Sequence, residues 1–219
     1  MRMEARVQAQ IDLLMRRYPQ LEACREQILA AYALLEECYL HDGKLLLAGN
    51  GGSASDSEHI AGELMKRFRT PRPVPAELAE KLKGVDPVRG ALLAQKLERG
   101  LMAVPLVTHE ALTTAYSNDV DASCVYAQQL YGFGRPGDVF WGITTSGNSE
   151  NVIKAAVLAK ALGLRTIGLT GATGGQLAQI ADVTITVPET ETYMVQEMHL
   201  PVYHCLCLML EERFFGSES

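Results

Sequence analysis

The chain has 219 residues, 47% of them hydrophobic and 21% charged, with a formal net charge of −6. That length suits one α/β domain over residues 1–219, with two small domains as the alternative. The acidic balance argues against a nucleic-acid or anionic-membrane surface, and no apolar run approaches the ~20 residues that span a bilayer.

The start, Met1-Arg2-Met3-Glu4-Ala5-Arg6, is charged with no signal-peptide core behind it, which predicts a cytoplasmic protein. Residues 1–43 read as two amphipathic helices, Arg6 to Arg17 and Leu21 to Leu40, interrupted at Pro19. Their apolar positions, Ile11, Leu14, Ile28, Tyr32, Leu35 and Tyr39, recur near helical spacing and predict core or partner packing. The five cysteines, Cys24, Cys38, Cys124, Cys205 and Cys207, are odd in number and lack a C-x-x-C pattern, so reduced, mostly packed thiols are expected.

Lys44 to Ala48 is a short apolar run ending in Gly49, as expected of a strand buried on both faces of a parallel sheet. Asn50, Gly51 and Gly52 tolerate positive φ and leave backbone N–H groups approachable, while Ser53 is placed to cap the next helix. Free N–H groups at that helix start suit an anion. His59 and Glu63, four residues apart, share a helix face and can act on one atom. A tight turn with a solvated His/Glu pair is the plainer alternative for this corner alone.

The region from Thr70 to Gly100 is rich in Pro and charge, with helical stretches at Ala76 to Lys83 and Val88 to Arg99. A strand at Ala103 to Val107 follows, then helices at Glu110 to Tyr116 and Ala122 to Tyr131. Val139 to Ile143 is a second buried-looking strand, entering the hydroxyl-rich turn Thr144-Thr145-Ser146-Gly147-Asn148-Ser149 and a helix through Leu162. Short donors at a strand's carboxyl end, together with a helix N-terminus, suit a phosphate; plain helix capping is the alternative. The lysine of a Walker loop and the G-x-G-x-x-G of a dinucleotide fold are both missing. Strands at Thr166 to Leu169 and Val183 to Val187, around a helix at Gln176 to Ile180, complete the alternation. Repeated βα units predict a parallel, doubly wound sheet with ligands at its carboxyl ends. The last helix, about Glu191 to Phe214, carries Gln196, His199 and His204; the residues alone read His199 as a hydrogen-bonded core or interface histidine.

Taken together, GNGGSASDSEHIAGEL, the Asn118-Asp119 pair, TTSGNSENVIKAA, LTGATGGQLAQIAD and QEMHLPVYH resemble the sugar isomerase (SIS) domain. Within it they resemble the sedoheptulose-7-phosphate isomerases, also called phosphoheptose isomerases. The resemblance runs from Leu45 to Glu212 apart from one insertion. It implies a three-layer α/β/α, flavodoxin-like fold, with residues 1–43 helping to build a cytoplasmic homotetramer that has active sites at subunit interfaces. The implied reaction is aldose–ketose isomerisation of a seven-carbon sugar phosphate through an enediol.

Carried over residue by residue, the resemblance makes Glu63 and His204 the catalytic pair. Asn50, Gly51, Gly52, Ser53, Asn118, Asp119 and Gln196 would contact the sugar, and Thr144, Thr145, Ser146 and Ser149 the phosphate. His59, Glu63, Gln196 and His204 form the implied metal set, zinc in the family, with no organic cofactor. At 1.5 Å rise per residue Gln196 and His204 lie roughly 12 Å apart along an ideal helix, so both reach one ion only by leaning together. Arg67, one turn beyond Glu63, is a further candidate for phosphate or interface pairing. The chain departs from the family pattern in three places. Ala76 to Arg99 is an apparent excess, able to serve as lid, interface or substrate wall; Tyr193 stands where many members have Asp; Thr144 replaces a Ser. The rival reading is a non-catalytic SIS binding module, associating with a replication initiator or sensing a sugar phosphate. The presence of both Glu63 and His204 favours an enzyme.

Overall fold

The computed structural model describes residues 4–216, so most of the charged start, Met1 to Met3, lies outside the described residues. Helices α1 (Ala5–Arg17) and α2 (Arg25–Leu40) are joined by a 3₁₀ turn at Pro19–Cys24. The expected stripe is buried: Ile11, Leu14, Ile28, Tyr32, Leu35 and Tyr39 all lie in the core. Strand β1 (Leu45–Gly49) leads into α3 (Gly52–Met65), then the helical pair α4 (Ala76–Val85) and α5 (Pro87–Lys96). Next come β2 (Ala103–Pro105), α6 (Glu110–Tyr116), α7 (Val125–Phe133), β3 (Val139–Ile143) and α8 (Glu150–Ala161). The chain continues through β4 (Arg165–Thr170), α9 (Leu177–Ile180) and β5 (Val183–Thr186) to α10 (Thr192–Phe215).

The five strands are parallel, in the order β2-β1-β3-β4-β5. Because side chains alternate along a strand, β1 and β3 each feed two cores. Leu45, Leu47, Val139, Trp141, Ile143, Ile167 and Leu169 face the layer that includes α1, α2 and α10. Leu46, Ala48 and Phe140 face α7 and α8. The connections leave β1 and β3 toward opposite edges of the sheet, so a crevice opens between their carboxyl ends, the position at which such sheets bind ligands. Both predicted anion corners lie at that switch point.

Three expectations are corrected. Ser53 does not cap α3: Gly51, at φ 56°, holds the N-cap position, and Ser53 is buried inside the first turn. Strand β2 ends at Pro105 rather than Val107, where the chain turns and Thr108 bonds back to Pro105. Helix α5 starts earlier and stops earlier than its pattern. Asp86 caps it by accepting from the N–H groups of Val88 and Arg89, and beyond Leu97 the chain straightens so that Glu98 bridges Pro73. Helix α10 runs through Pro201 without a break.

The α4–α5 hairpin stands on a narrow base. Between residues 71 and 100 only Arg72 and Gly90 are buried. Arg72 belongs to the body of the protein, since its guanidinium pairs with the buried Glu211 of α10 at 2.9 Å and stacks on Phe215. No helix among the described residues is long and apolar enough to cross a membrane. All five cysteines are free, and four are buried.

Candidate active site

At the switch point, Asn50, Gly51, Gly52, Ser53, Thr144, Thr145, Ser149 and Gln196 line a cavity of about 330 Å³ with Ile143 and Thr192. Its floor is tightly built. Asn50 exchanges two side-chain hydrogen bonds with Asn151 of α8, at 2.9 and 3.0 Å, and the Tyr126 hydroxyl donates to the Gly49 carbonyl at 2.6 Å. Thr144 Oγ1 and Ser149 Oγ lie 2.8 Å apart. Gly147, at φ 70°, packs so closely on the β4–α9 loop that a Cβ would sit 2.1 Å from the Gly174 carbonyl oxygen. Serine and threonine hydroxyls beside the N-terminus of α8 make a neutral anion cradle.

Three candidates, Ser146 for the phosphate and Asn118 and Asp119 for the sugar, differ in placement. Ser146 is exposed, and its Oγ accepts from the Asn148 N–H instead of lining the cavity. Asn118 and Asp119 bond to each other at 2.8 Å on an exposed π turn, Ser117–Asp121, and do not line it either. Arg67 pairs with Glu98 at 3.0 Å, tying the hairpin base to the end of α3.

The acid/base candidates meet elsewhere along the same two helices. Gln196 lies over the start of α3, where a Cβ on Gly52 would come within 2.5 Å of its Nε2. Further along, His204 Nε2 is 3.5 Å from His59 Nε2, which is 3.3 Å from Glu63 Oε1. Helices α3 and α10 therefore lie side by side in the same direction, with the cavity at their N-terminal ends and the Glu63–His59–His204 cluster about 10–12 Å beyond. His59 Nδ1 is 3.0 Å from the Tyr203 hydroxyl, which donates to Asp56 at 3.2 Å. Burial lowers the His204 pKa, and neighbouring His59 lowers it further while Glu63 opposes. Burial raises that of Asp56 against the hydrogen bond from Tyr203. His204 also borders a second cavity, about 180 Å³, between α1 and α10.

As metal donors, two imidazoles and a carboxylate suit zinc, whose bonds of ~2.0–2.1 Å to tetrahedral ligands place neighbouring donor atoms roughly 3.3 Å apart. The two edges at His59 match that spacing. Among the described residues no three His, Cys, Asp or Glu side chains form a group that could hold a metal as they stand, and Gln196 is at the cavity. The fit is thus one of donor type and of two edges.

A phosphoheptose isomerase of Geotalea daltonii is 41% identical over 190 residues, covering 87% of this chain and 85% of that protein. The chain belongs to the phosphoheptose isomerase family. The phosphoheptose isomerase of Helicobacter pylori is 38% identical over 195 residues, covering 89% and 88% of the two chains. The structure of the Neisseria gonorrhoeae phosphoheptose isomerase GmhA matches with a TM-score of 0.69 at 33% identity, over 92% of this chain and 95% of that one. The SIS domain family profile matches residues 96–171, a stretch holding both the Asn118-Asp119 pair and the Thr144–Ser149 turn.

Within this phosphoheptose isomerase fold, several site neighbours carry no local sequence signal. Tyr203 and Asp56 are 147 residues apart, and Asn50 and Asn151 are 101 apart. Tyr203 reads as one more apolar position in a core-facing helix. His199 is fully buried as expected, and burial, opposed by an interaction with the Thr170 backbone, pushes its pKa down to about 4.

Proposed function

We propose that the protein interconverts sedoheptulose 7-phosphate and D-glycero-D-manno-heptose 7-phosphate through an enediol. The observation that carries this is the meeting of Glu63 and His204 at His59, along the same helix pair whose N-terminal ends border the hydroxyl-lined cavity. A substrate bridging the two places must be long: an extended seven-carbon chain with a terminal phosphate suits the gap, and a triose phosphate does not. With its phosphate among Thr144, Thr145 and Ser149, the ketose places C1 and C2 by the cluster. Glu63 removes a proton from C1, and the electron pair of that bond forms the C1–C2 double bond of the enediol. His204 hands a proton to the C2 oxygen and takes one from the C1 oxygen, and Glu63 returns its proton to C2 to give the aldose.

Zinc would be held by His59, Glu63 and His204; Gln196, the fourth donor that the family resemblance names, lies at the cavity about 10–12 Å away along α10. Bound there, it would polarise the carbonyl and steady the enediolate charge. A homotetramer is supported by apolar side chains exposed on the site's own helices, Met65 on α3 and Tyr193 and Leu200 on α10, which a partner subunit would cover. The free cysteines suit a cytoplasmic setting.

The test is turnover of sedoheptulose 7-phosphate to an aldose, with Glu63→Gln and His204→Ala each lowering kcat by about 10²–10⁴-fold. Binding of the ketose phosphate without conversion by the unaltered protein would refute the enzyme reading and leave a sugar-phosphate binder.

A further inference from the structure

The hydroxyl of Tyr203 stands between two side chains of α3. It donates to Asp56 Oδ1 at 3.2 Å and lies 3.0 Å from His59 Nδ1. A carboxylate can only accept a hydrogen bond, and a phenol has one proton. With that proton directed to Asp56, the Tyr203 oxygen faces His59 with a lone pair, so Nδ1 carries a proton. The opposite nitrogen, Nε2, is turned toward Glu63 Oε1, which also accepts only, and His204 Nε2; in the neutral ring it is the bare nitrogen, and in the imidazolium it donates to Glu63.

The surroundings hold this arrangement in place. The Tyr203 side chain is 1% exposed in the middle of α10, and its ring packs edge-on against the rings of His59 and His204. Asp56 is one turn before His59 on the same helix and, among the described residues, receives from no other: its second oxygen is buried and without a partner there. The carboxylate is thus committed to Tyr203, and Tyr203 is the single link between it and the imidazole.

We propose that Asp56 and Tyr203 are positioning residues that fix His59 as its Nδ1–H tautomer, presenting the Nε2 lone pair to the Glu63–His204 corner. Free imidazole side chains favour the other tautomer, so the relay holds the ring in the form a proton or a metal ion at that corner requires. The inference concerns the same corner as the isomerase reading and is tested without turnover.

The experiment is long-range ¹H–¹⁵N NMR of metal-free, ¹⁵N-histidine-labelled protein, with the His59 signals assigned by a His59→Asn variant. In the unaltered protein, at a pH where the ring is neutral, His59 should show a protonated Nδ1 and a bare Nε2. Tyr203→Phe removes the acceptor and should return His59 toward the Nε2–H form. Asp56→Ala frees the Tyr203 proton to point at Nδ1 and should invert the tautomer, whereas Asp56→Asn keeps a carbonyl acceptor and should preserve it. Zinc titrated against a chromophoric chelator should bind about 10–100-fold more weakly to Tyr203→Phe. A neutral His59 ring with Nε2–H and a bare Nδ1 in the unaltered protein, or a tautomer indifferent to Tyr203→Phe and Asp56→Ala, would overturn the proposal. The correct tautomer in a protein that fails to turn over sugar phosphate would sink the isomerase reading alone.

Discussion

Replacing Arg72 by Met should cost the protein about 3–5 kcal/mol of stability, the usual consequence of stripping one partner from a buried ion pair. The Arg72 and Glu211 side chains are 0% and 1% exposed. Burial raises the Glu211 pKa, but the Phe68 N–H, the Arg72 guanidinium and the Arg69 N–H together hold it below the usual carboxylate range. Arg72 also donates to the carbonyls of Leu64 at 2.8 Å and Glu63 at 3.3 Å, clamping the last turn of α3. Because the Phe68 and Arg69 N–H groups still solvate the carboxylate when Arg72 is gone, the lower end of the range applies. At the scale of a protein this size that is a fall in Tm of roughly 6–12 °C. Thermal unfolding followed by circular dichroism, at one fixed protein concentration since association shifts Tm, measures it. The same substitution in a Glu211→Gln background should cost only about 1 kcal/mol, because no buried charge is left stranded. Equal losses in the two backgrounds would show that the ion pair is not the reason and refute the reasoning.

His199 should make stability depend on pH. With a folded pKa of about 4 against an ordinary value of 6.5, the unfolded chain takes up the proton first, so its contribution is complete above pH 6.5 and is lost as pH falls through 4. That is about 3 kcal/mol, and His199→Leu should flatten this part of the urea-measured profile; an unchanged profile would refute the assignment. Gly147→Ala meets backbone at 2.1 Å with φ at 70° and should lower Tm severely. Gly52→Ala meets only the Gln196 amide and should fold nearly normally with a raised KM for sugar phosphate. Equal stability of these two variants would contradict the packing described. Replacing residues 76–96 by a short glycine-rich link should leave the rest folded, since Gly90 is the one buried residue removed and the Pro73–Glu98 bridge already closes the base. Loss of cooperative unfolding would show that the hairpin is integral.

What could be read from the chain alone follows from range. β1 and β3 are legible because five successive buried residues in a parallel sheet leave a continuous apolar run. Their corners are legible because glycine and hydroxyl residues must be local to do their work. The misreadings occur where distant chain intervenes. The pattern of α5 continues to Arg99, yet pairing of Glu98 with Pro73 pulls the chain straight. Ser53 has the right chemistry for a cap, but the positive φ of Gly51 starts the helix two residues earlier and carries the serine inside. Tyr203 and Arg72 were invisible as site neighbours because each acts on a residue about 140 positions away.

This division also explains why the two halves of the site differ in kind. An anion cradle is made of backbone direction and small side chains, so the sheet's switch point supplies it directly. Proton transfer needs ionisable groups on rigid supports, and here these sit one to three turns into two parallel helices, α3 and α10. The distance between cradle and cluster is then set by the register of those helices, which the Gly52–Gln196 approach fixes at one end and the Asp56–Tyr203–His59 relay at the other. A slip of α10 by one turn would move His204 by about 5.4 Å and separate it from His59 while leaving the cradle's own loops intact. On the isomerase reading proposed above, selectivity for substrate length would reside in the packing of α10 on α3, and the relay proposed to orient His59 would also guard that register.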